Sequence, residues 1–169
     1  KVDGMTSVFL TMLIVSGSLS IPASAADGLL EVRLVDQYGA EDRLVDHLGH
    51  PVVVVVVTAR RLRNLKPWER DLRARFDDLD VVRIADVPAD SNATLNDVAE
   101  RLRERVPDGV SVLIDMDRRW ATALELDTSR PNLLLFGPDG ELRSAYHGKH
   151  DDELAVEVLA DIDRRLDDR

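Results

Sequence analysis

The sequence predicts an α/β fold whose central mixed sheet contains parallel strands and ends in an antiparallel hairpin. The first observation is a run of six valines, residues 52–57, which is typical of a strand buried on both faces. Second, helical spacing of apolar residues alternates along the chain with short apolar runs, as in strand–helix–strand units. Third, Gly137-Pro138-Asp139-Gly140 separates two apolar stretches and indicates a hairpin turn.

The amino-terminal segment predicts a signal peptide that is removed after Ala25. Residues 8–21 are mainly apolar but short for a membrane span, and small residues precede the expected cleavage point. Residues 26–169 would then form one domain in the periplasm or outside the cell. An uncleaved anchor and a buried core helix stay open as alternatives, because only Lys1 supplies a basic residue ahead of the apolar core.

Composition excludes several classes of function. The chain carries a formal net charge of -10 at pH 7, which disfavours binding to nucleic acid and to anionic lipid surfaces. We therefore expect membrane contact only through an uncleaved signal segment, and we expect a monomer. The sequence contains no cysteine, so disulfide bonds, a thiol nucleophile and thiolate metal ligation are all impossible.

The first half of the domain predicts an opening strand, the valine strand, a helix and another strand. Residues 30–34 alternate between apolar and charged side chains, as in a half-buried strand, and residues 36–39 form a turn. After the valine run, Asn64 is expected to cap a helix that has Pro67 in its first turn. The buried face of this helix carries Leu65, Trp68, Leu72 and Phe76. Residues 81–85 then predict a second buried strand.

The second half predicts three helices, a third strand and the hairpin. Its elements are a helix over 95–106 stopped by 107–109, a strand at 110–114, a short helix at 118–126, hairpin strands at 132–136 and 141–146, and a terminal helix over 151–166. Asp115 and Asp117 follow the third strand, and we interpret them as a turn and helix cap in preference to a cation site. The terminal helix has an acidic outer face.

Three stretches resemble the thioredoxin-like superfamily, specifically its redoxin branch. They are Asp36-x-x-Gly39 with Leu44-x-Asp46-x-Leu48-Gly49-x-Pro51 ahead of the valine strand, Arg130-Pro131 ahead of the strand at 132–136, and Gly137-Pro138-Asp139-Gly140-Glu141-Leu142 followed by Gly148 and the terminal helix. The resemblance covers residues 30–166 and implies a three-layer sandwich with helices on both sides of the sheet. It also implies a cis peptide bond at Arg130-Pro131, facing the position of the family's active site.

The resemblance ends at the residues that carry redox chemistry in the family. Redoxins place reactive cysteines just after the central strand, and with Pro67 as the anchor these positions correspond to residues 59–62 here. Neither cysteine is present, so thiol oxidoreductase and thiol peroxidase activities are not implied. Whether the chain is an enzyme of another kind stays open.

Positive charges take the place of the missing thiols. The cations that follow the valine strand are Arg60, Arg61, Arg63 and Lys66. One interpretation is that they extend into water or pair with Glu69, Asp71 and the acidic surface. The other is that they bind an anion together with the N–H groups of the helix start. The candidate ligand site comprises Thr58, Arg60, Arg61, Arg63, Arg130, Pro131 and His147.

The four histidines form two pairs with identical spacing, His47 with His50 and His147 with His150. Convergence of all four would favour zinc or copper. The predicted topology separates them, because one pair precedes the central strand and the other follows a strand parallel to it. We therefore expect no metal site and, without a glycine-rich phosphate loop, no cofactor.

These features favour a non-redox binding module that holds a peptide or a small anionic ligand at the candidate site. A second hypothesis is an enzyme that needs no thiol, in which Thr58 with Arg61 or His147 orients a nucleophile or stabilises an oxyanion. A third hypothesis is a scaffold that contacts a partner through its acidic terminal helix.

Overall fold

The structure is a computed structural model that describes residues 23–167, except for the side chains at positions 23–25 and 27. The apolar stretch of the expected signal segment lies outside the described residues, so its removal stays a prediction. Within the described part, no helix is both long enough and apolar enough to cross a bilayer.

The described chain forms one mixed sheet with helices on both faces. The strands are β1 Leu34–Asp36, β2 Glu41–Asp42, β3 Val52–Thr58, β4 Asp80–Asp86, β5 Leu113–Asp115, β6 Asn132–Phe136 and β7 Leu142–His147. The helices are α1 Ala23–Leu30, α2 Lys66–Arg75, α3 Leu95–Arg105, α4 Arg119–Ala123 and α5 Asp152–Asp167. Two 3-10 helices, Leu44–His47 and Ala59–Leu65, lie before and after β3.

β3 is central because its side chains are apolar on both faces. It runs parallel to β4 and antiparallel to β6, in the strand order β2-β1-β5-β4-β3-β6-β7. The odd-numbered valines pack against α2 and α5, and the even-numbered ones face α1 and α4. All six valines have no exposed surface, which confirms the predicted buried strand.

The helix α3 covers the other half of the sheet, on the same side as α2 and α5. Its residues Val98, Ala99 and Leu102 pack against Ala85 of β4 and Ile114 of β5. The helices α1 and α4 form the opposite layer. The sheet therefore lies between two helical layers, which confirms the three-layer sandwich.

The chain around Leu30 differs from the predicted strand. Residues Ala23–Leu30 form α1, and β1 begins only at Leu34. Ala26 and Leu29 are 1% and 3% exposed, because their three-residue spacing brings both onto the helix side that faces the core. The alternation at 30–34 matched a strand, but the apolar pair in the preceding turn determines the structure.

The segment after β3 also differs from the prediction. Residues Ala59–Leu65 form a 3-10 helix and α2 begins after it, so Asn64 does not cap α2. Leu62 and Leu65 both pack into the core beneath this turn. Their three-residue spacing suits the three residues per turn of a 3-10 helix.

The other predicted elements are present, but two are shorter than expected: the third strand, predicted over 110–114, is Leu113–Asp115, and the short helix, predicted over 118–126, is Arg119–Ala123. Pro67 lies in the first turn of α2, and Trp68 and Trp120 are 0% and 2% exposed. The hairpin between β6 and β7 closes through a 2.9 Å hydrogen bond from Gly137 N to Glu141 O. The terminal helix α5 buries Ala155, Val158 and Ile162.

Candidate functional site

The carboxyl end of β3 meets the loop that precedes β6. The backbone N–H of Thr58 donates to Thr128 O at 2.9 Å, and Gly148 N donates to Pro131 O at 3.0 Å. In the β6–β7 pairing, His147 lies opposite Asn132. Thr58, Pro131 and His147 thus lie at the same end of the sheet, as the sequence predicted.

The predicted cis bond at Arg130-Pro131 is wrong. No peptide bond in the described part of the chain is cis, so this one is trans. Asn132 holds the loop in this path, because its side-chain amide donates to the carbonyls of Val56, Asp127 and Arg130 at 3.2, 3.0 and 3.0 Å. The loop is therefore fixed against β3 by an asparagine immediately after the proline.

A carboxylate already faces the cations of this loop. Hydrogen bonds from Ser129 lower the pKa of Asp127, and the charges of His147 and Arg130 lower it further. Arg130 and His147 are both exposed. This side of the predicted site is therefore partly neutralised by the chain itself.

The four cations after β3 are exposed on the 3-10 helix and at the start of α2. Glu69 and Asp71, the partners considered for them, pair with other residues: Glu69 with Arg83 at 2.5 Å, and Asp71 with Arg70 at 2.6 Å and His150 at 2.7 Å. Across residues 23–167, no ion pair is found for Arg60, Arg61, Arg63 or Lys66. This cationic surface is left uncompensated.

A cavity of about 850 Å³ opens between two walls. One wall is formed by the 3-10 helix Ala59–Leu65 and α2, and the other by the end of α3 and the segment before β5. Its cationic lining residues are Arg60, Arg63, Lys66, Arg70, Arg73, Arg83 and Arg105. Glu69 is the carboxylate that lines it. Its apolar lining is formed by Ala59, Leu62, Leu65, Val106, Pro107, Val110 and Val112. We call this space the arginine cavity.

Arg83 forms the floor of the arginine cavity. It lies in the middle of β4 opposite Val55, so its side chain points to the face that carries α2 and α3. The side chain is only 10% exposed. Its Nε donates to Glu69 Oε1 at 2.5 Å and its Nη1 to Val81 O at 3.4 Å. Its Nη2 is buried and has no hydrogen-bond partner among the described residues.

Sequence reasoning missed Arg83, although a signal was present. It is a single charged residue inside the apolar run Val81-Val82-Arg83-Ile84-Ala85. A buried cation in such a run needs hydrogen-bonding partners, and those partners mark a site.

Only part of the predicted ligand site lines the arginine cavity. Arg60 and Arg63 line it, whereas Thr58, Arg61, Arg130, Pro131 and His147 are not among its lining residues. The two groups share the carboxyl end of β3 but do not line one common cavity.

A buried polar cluster lies beneath this end of the sheet. Thr58, Asp86 and Asp115 end the neighbouring strands β3, β4 and β5 in register. Burial raises the pKa of Asp115, whose carboxylate accepts backbone N–H bonds from Arg119 and Trp120 at 3.0 and 2.9 Å. These bonds confirm that Asp115 caps the start of α4, whereas Asp117 pairs with the side chain of Arg119 at 3.0 Å. The Thr58 hydroxyl is buried without a partner among the described residues.

The histidine pairs lie at opposite ends of β3. His47 contacts Asp80 and Asp42 at 3.0 and 2.9 Å, near the amino end of the strand. His150 contacts Asp71 and packs edge-on against Trp68, with ring centroids 4.9 Å apart. Among the described residues, no three histidine or acidic side chains form a group that could hold a metal ion.

No family model matches this sequence, and no curated protein matches it. Solved structures do. The exposed lipoprotein thioredoxin of Streptococcus pneumoniae aligns with a TM-score of 0.62 at 16% identity, over 77% of this chain and 98% of that chain. Peroxiredoxin Q of Xanthomonas campestris aligns with a TM-score of 0.60 at 16% identity, over 88% and 97%.

A putative thioredoxin from Neisseria meningitidis gives a TM-score of 0.55 at 17% identity, over 82% of this chain and 91% of that chain. At such identities the similarity shows the fold alone. The observed layers, the strand order and these neighbours together show a thioredoxin-like fold, here without cysteine.

Proposed function

We propose that this chain, a thioredoxin-like fold without cysteine, is a non-redox binding module for an anionic ligand with an apolar body. The ligand lies in the arginine cavity, and its anionic group bonds to Arg83. The observation that carries the proposal is Nη2 of Arg83, a buried charged donor that has no partner among the described residues.

The charges of the cavity favour an anion. Seven lining side chains are cationic and one, Glu69, is anionic. A planar guanidinium donates to a carboxylate, phosphate or sulfate through two parallel bonds, and such bonds are stronger in a partly buried site than in water. An anion at Arg83 would satisfy Nη2 and reduce repulsion among the surrounding arginines.

The size and apolar lining of the cavity favour an organic ligand. Small-molecule sites are mostly apolar, have a few placed polar groups and occupy about 300–1,000 Å³. The arginine cavity, at about 850 Å³, fits this description. A free inorganic anion would leave the partly exposed apolar surfaces of Leu62, Val106 and Val110 uncovered.

The other predicted site residues do not line the arginine cavity. Arg61, Arg130 and His147 lie toward the same end of β3, where Asp127 already compensates part of the charge of Arg130 and His147. The cell-envelope location is proposed from the signal-like segment alone.

The enzyme hypothesis receives less support. Thr58, Arg61 and His147 do not line the arginine cavity, so none of them is placed to act on a ligand bound there. The scaffold hypothesis is supported by Val156, which is 70% exposed among the acidic residues of α5.

Calorimetric titration of the protein with naphthalene sulfonate tests the binding proposal. We expect Arg83→Met to weaken binding by about tenfold or more, because a charge-assisted contact is lost. Glu69→Gln should strengthen binding, because it removes the carboxylate that competes for Arg83. Added salt should weaken binding to the wild type.

The variants Arg83→Met and Glu69→Gln together distinguish a role of Arg83 in ligand binding from a purely structural role. If Arg83 serves only to pair with Glu69, the two variants lower the melting temperature alike and neither changes binding. Unchanged titration of folded Arg83→Met protein would overturn the proposal. Arg130→Glu and His147→Ala serve as controls at the other side of the predicted site, and loss of binding in these alone would move the ligand there.

A further inference from the structure

A second cavity of about 350 Å³ adjoins the arginine cavity. The two share Ala59, Arg60 and Arg105 as lining residues. Arg60 comes from the 3-10 helix and Arg105 from the last turn of α3, so two cations from facing elements stand where the cavities meet.

The second cavity repeats the chemistry of the first. Val87, Val98 and Leu102 supply an apolar lining, and Arg101 adds a further cation. No carboxylate of the described chain lines it. The two cavities thus form one groove with two apolar compartments separated by a pair of arginines.

We propose that this groove takes an extended acidic peptide. An acidic side chain lies between Arg60 and Arg105, and apolar side chains on either side of it enter the two compartments. The inference rests on the proposed function, which it deepens by naming the ligand class.

Peptide geometry fits the division of the groove. In an extended chain, successive side chains point to opposite sides and alternate ones recur on the same side about 7 Å apart. Two apolar residues separated by one acidic residue therefore direct their side chains into the two compartments. The carboxylate between them points out of the groove, where the exposed side chains of Arg60 and Arg105 flank it from the two walls.

Charge complementarity favours the same partner. The chain carries a formal net charge of -10, yet the groove is lined by cations with Glu69 as its one acidic side chain in the described structure. An acidic peptide is repelled by the net negative charge of the chain and attracted by the cations of the groove, which favours binding at this position.

Fluorescence anisotropy with a labelled synthetic peptide, in which leucine alternates with glutamate, tests the inference. We expect saturable binding, and about tenfold weaker binding when glutamine replaces every glutamate. Arg101→Glu, which changes the second cavity alone, should weaken peptide binding by a similar factor and leave naphthalene sulfonate binding unchanged. Arg119→Glu on α4, on the opposite face of the sheet, is the matched charge-reversal control.

Ala93→Trp provides an independent variant, because Ala93 lines only the second cavity and a large side chain there fills it. Loss of peptide binding with retained naphthalene sulfonate binding supports the two-compartment groove. Peptide binding that survives both Arg101→Glu and Ala93→Trp overturns it, even if Arg83→Met still abolishes binding of the small anion and the proposed function stands. Naphthalene sulfonate binding that survives Arg83→Met instead overturns the proposed function.

Discussion

The hydroxyl of Thr128 donates a 2.6 Å hydrogen bond to Asp86, a carboxylate with no exposed surface at the end of β4. The other oxygen of Asp86 accepts from Nε of Arg118 at 3.1 Å. The loop around Thr128 and the turn at Arg118 are thereby tied to one buried charge. These bonds fix the position of Thr128, whose backbone carbonyl accepts the hydrogen bond from Thr58 N.

Removing either partner of Asp86 should destabilise the fold. We expect Arg118→Gln to lower the free energy of unfolding by about 3 kcal/mol, because a buried carboxylate is left without its cation. Thr128→Val should cost about 1–3 kcal/mol, because it removes a hydrogen bond from a buried acceptor. Urea unfolding measures both changes. Adding Asp86→Asn to Arg118→Gln should recover part of the loss; strictly additive losses would contradict the pairing.

His47 should make stability depend on pH. Burial opposes its charged form, but hydrogen bonds to Asp80 and Asp42 outweigh burial and raise the pKa of His47 above its ordinary value of 6.5. A raised folded-state pKa stabilises the fold fully below the unfolded-state pKa, and this stabilisation is lost as pH rises through the folded-state value. We therefore expect the melting temperature to fall as the pH rises above the ordinary His47 pKa of 6.5.

The variant His47→Gln isolates this contribution. It should flatten the pH dependence in that window and have its largest destabilising effect at the acid end. The partner Asp80 has a lowered pKa because of its hydrogen bond to His47, so its contribution is lost only as pH falls below about 3.8. A wild-type profile that His47→Gln leaves unchanged would show that other groups control the dependence.

Tyr146 should lose its hydroxyl proton only at a pH above the ordinary range for tyrosine. Burial, followed by its hydrogen bond to Asp161, raises the pKa of Tyr146 to about 12. Alkaline titration followed by tyrosinate absorbance should lose its latest phase in Tyr146→Phe. The same variant should lower the free energy of unfolding by about 1 kcal/mol, since one hydrogen bond between β7 and α5 disappears. Titration of Tyr146 near the ordinary value of 10 would contradict its buried contact.

Local sequence predicted the elements whose pattern is unambiguous. The valine run of β3 is typical of a strand buried on both faces, and the turn residues at 137–140 strongly favour a hairpin. Local sequence failed at residues 30–33, because the apolar pair Ala26 and Leu29 in the preceding turn favours a helix that runs into the alternating stretch. It also failed at Asn64, because the packing of Leu62 and Leu65 favours a 3-10 turn over a capped helix.

The candidate site was predicted only in part, because its cavity arises from tertiary packing. Arg60 and Arg63 were found from their position after β3. Arg83 and Arg105 are far apart in sequence, and only the gap between α2 and α3 brings them to one cavity. Asp86 becomes a partner of Arg118 and Thr128 only when the turns after β5 close over the end of β4.

Gly140 should be intolerant of a side chain, whereas Gly137 in the same turn should accept one. Gly140 has a φ of 83°, and a Cβ there would lie 2.9 Å from Cδ1 of Leu30 and 3.1 Å from Cδ1 of Leu48. A Cβ at Gly137 would meet the flexible ends of Arg143 and Asp139, both at 2.7 Å, which can move into water.

We expect Gly140→Ala to lower the free energy of unfolding by about 1–2 kcal/mol more than Gly137→Ala, because only Gly140 has a left-handed backbone conformation that strains an alanine. Chemical unfolding of both variants gives the comparison. Equal losses would mean that side-chain crowding, and not backbone conformation, limits the turn. A larger loss at Gly137 would contradict the hairpin geometry, since of the two glycines only Gly140 has a positive φ and an apolar side chain, Leu30, beside the added Cβ.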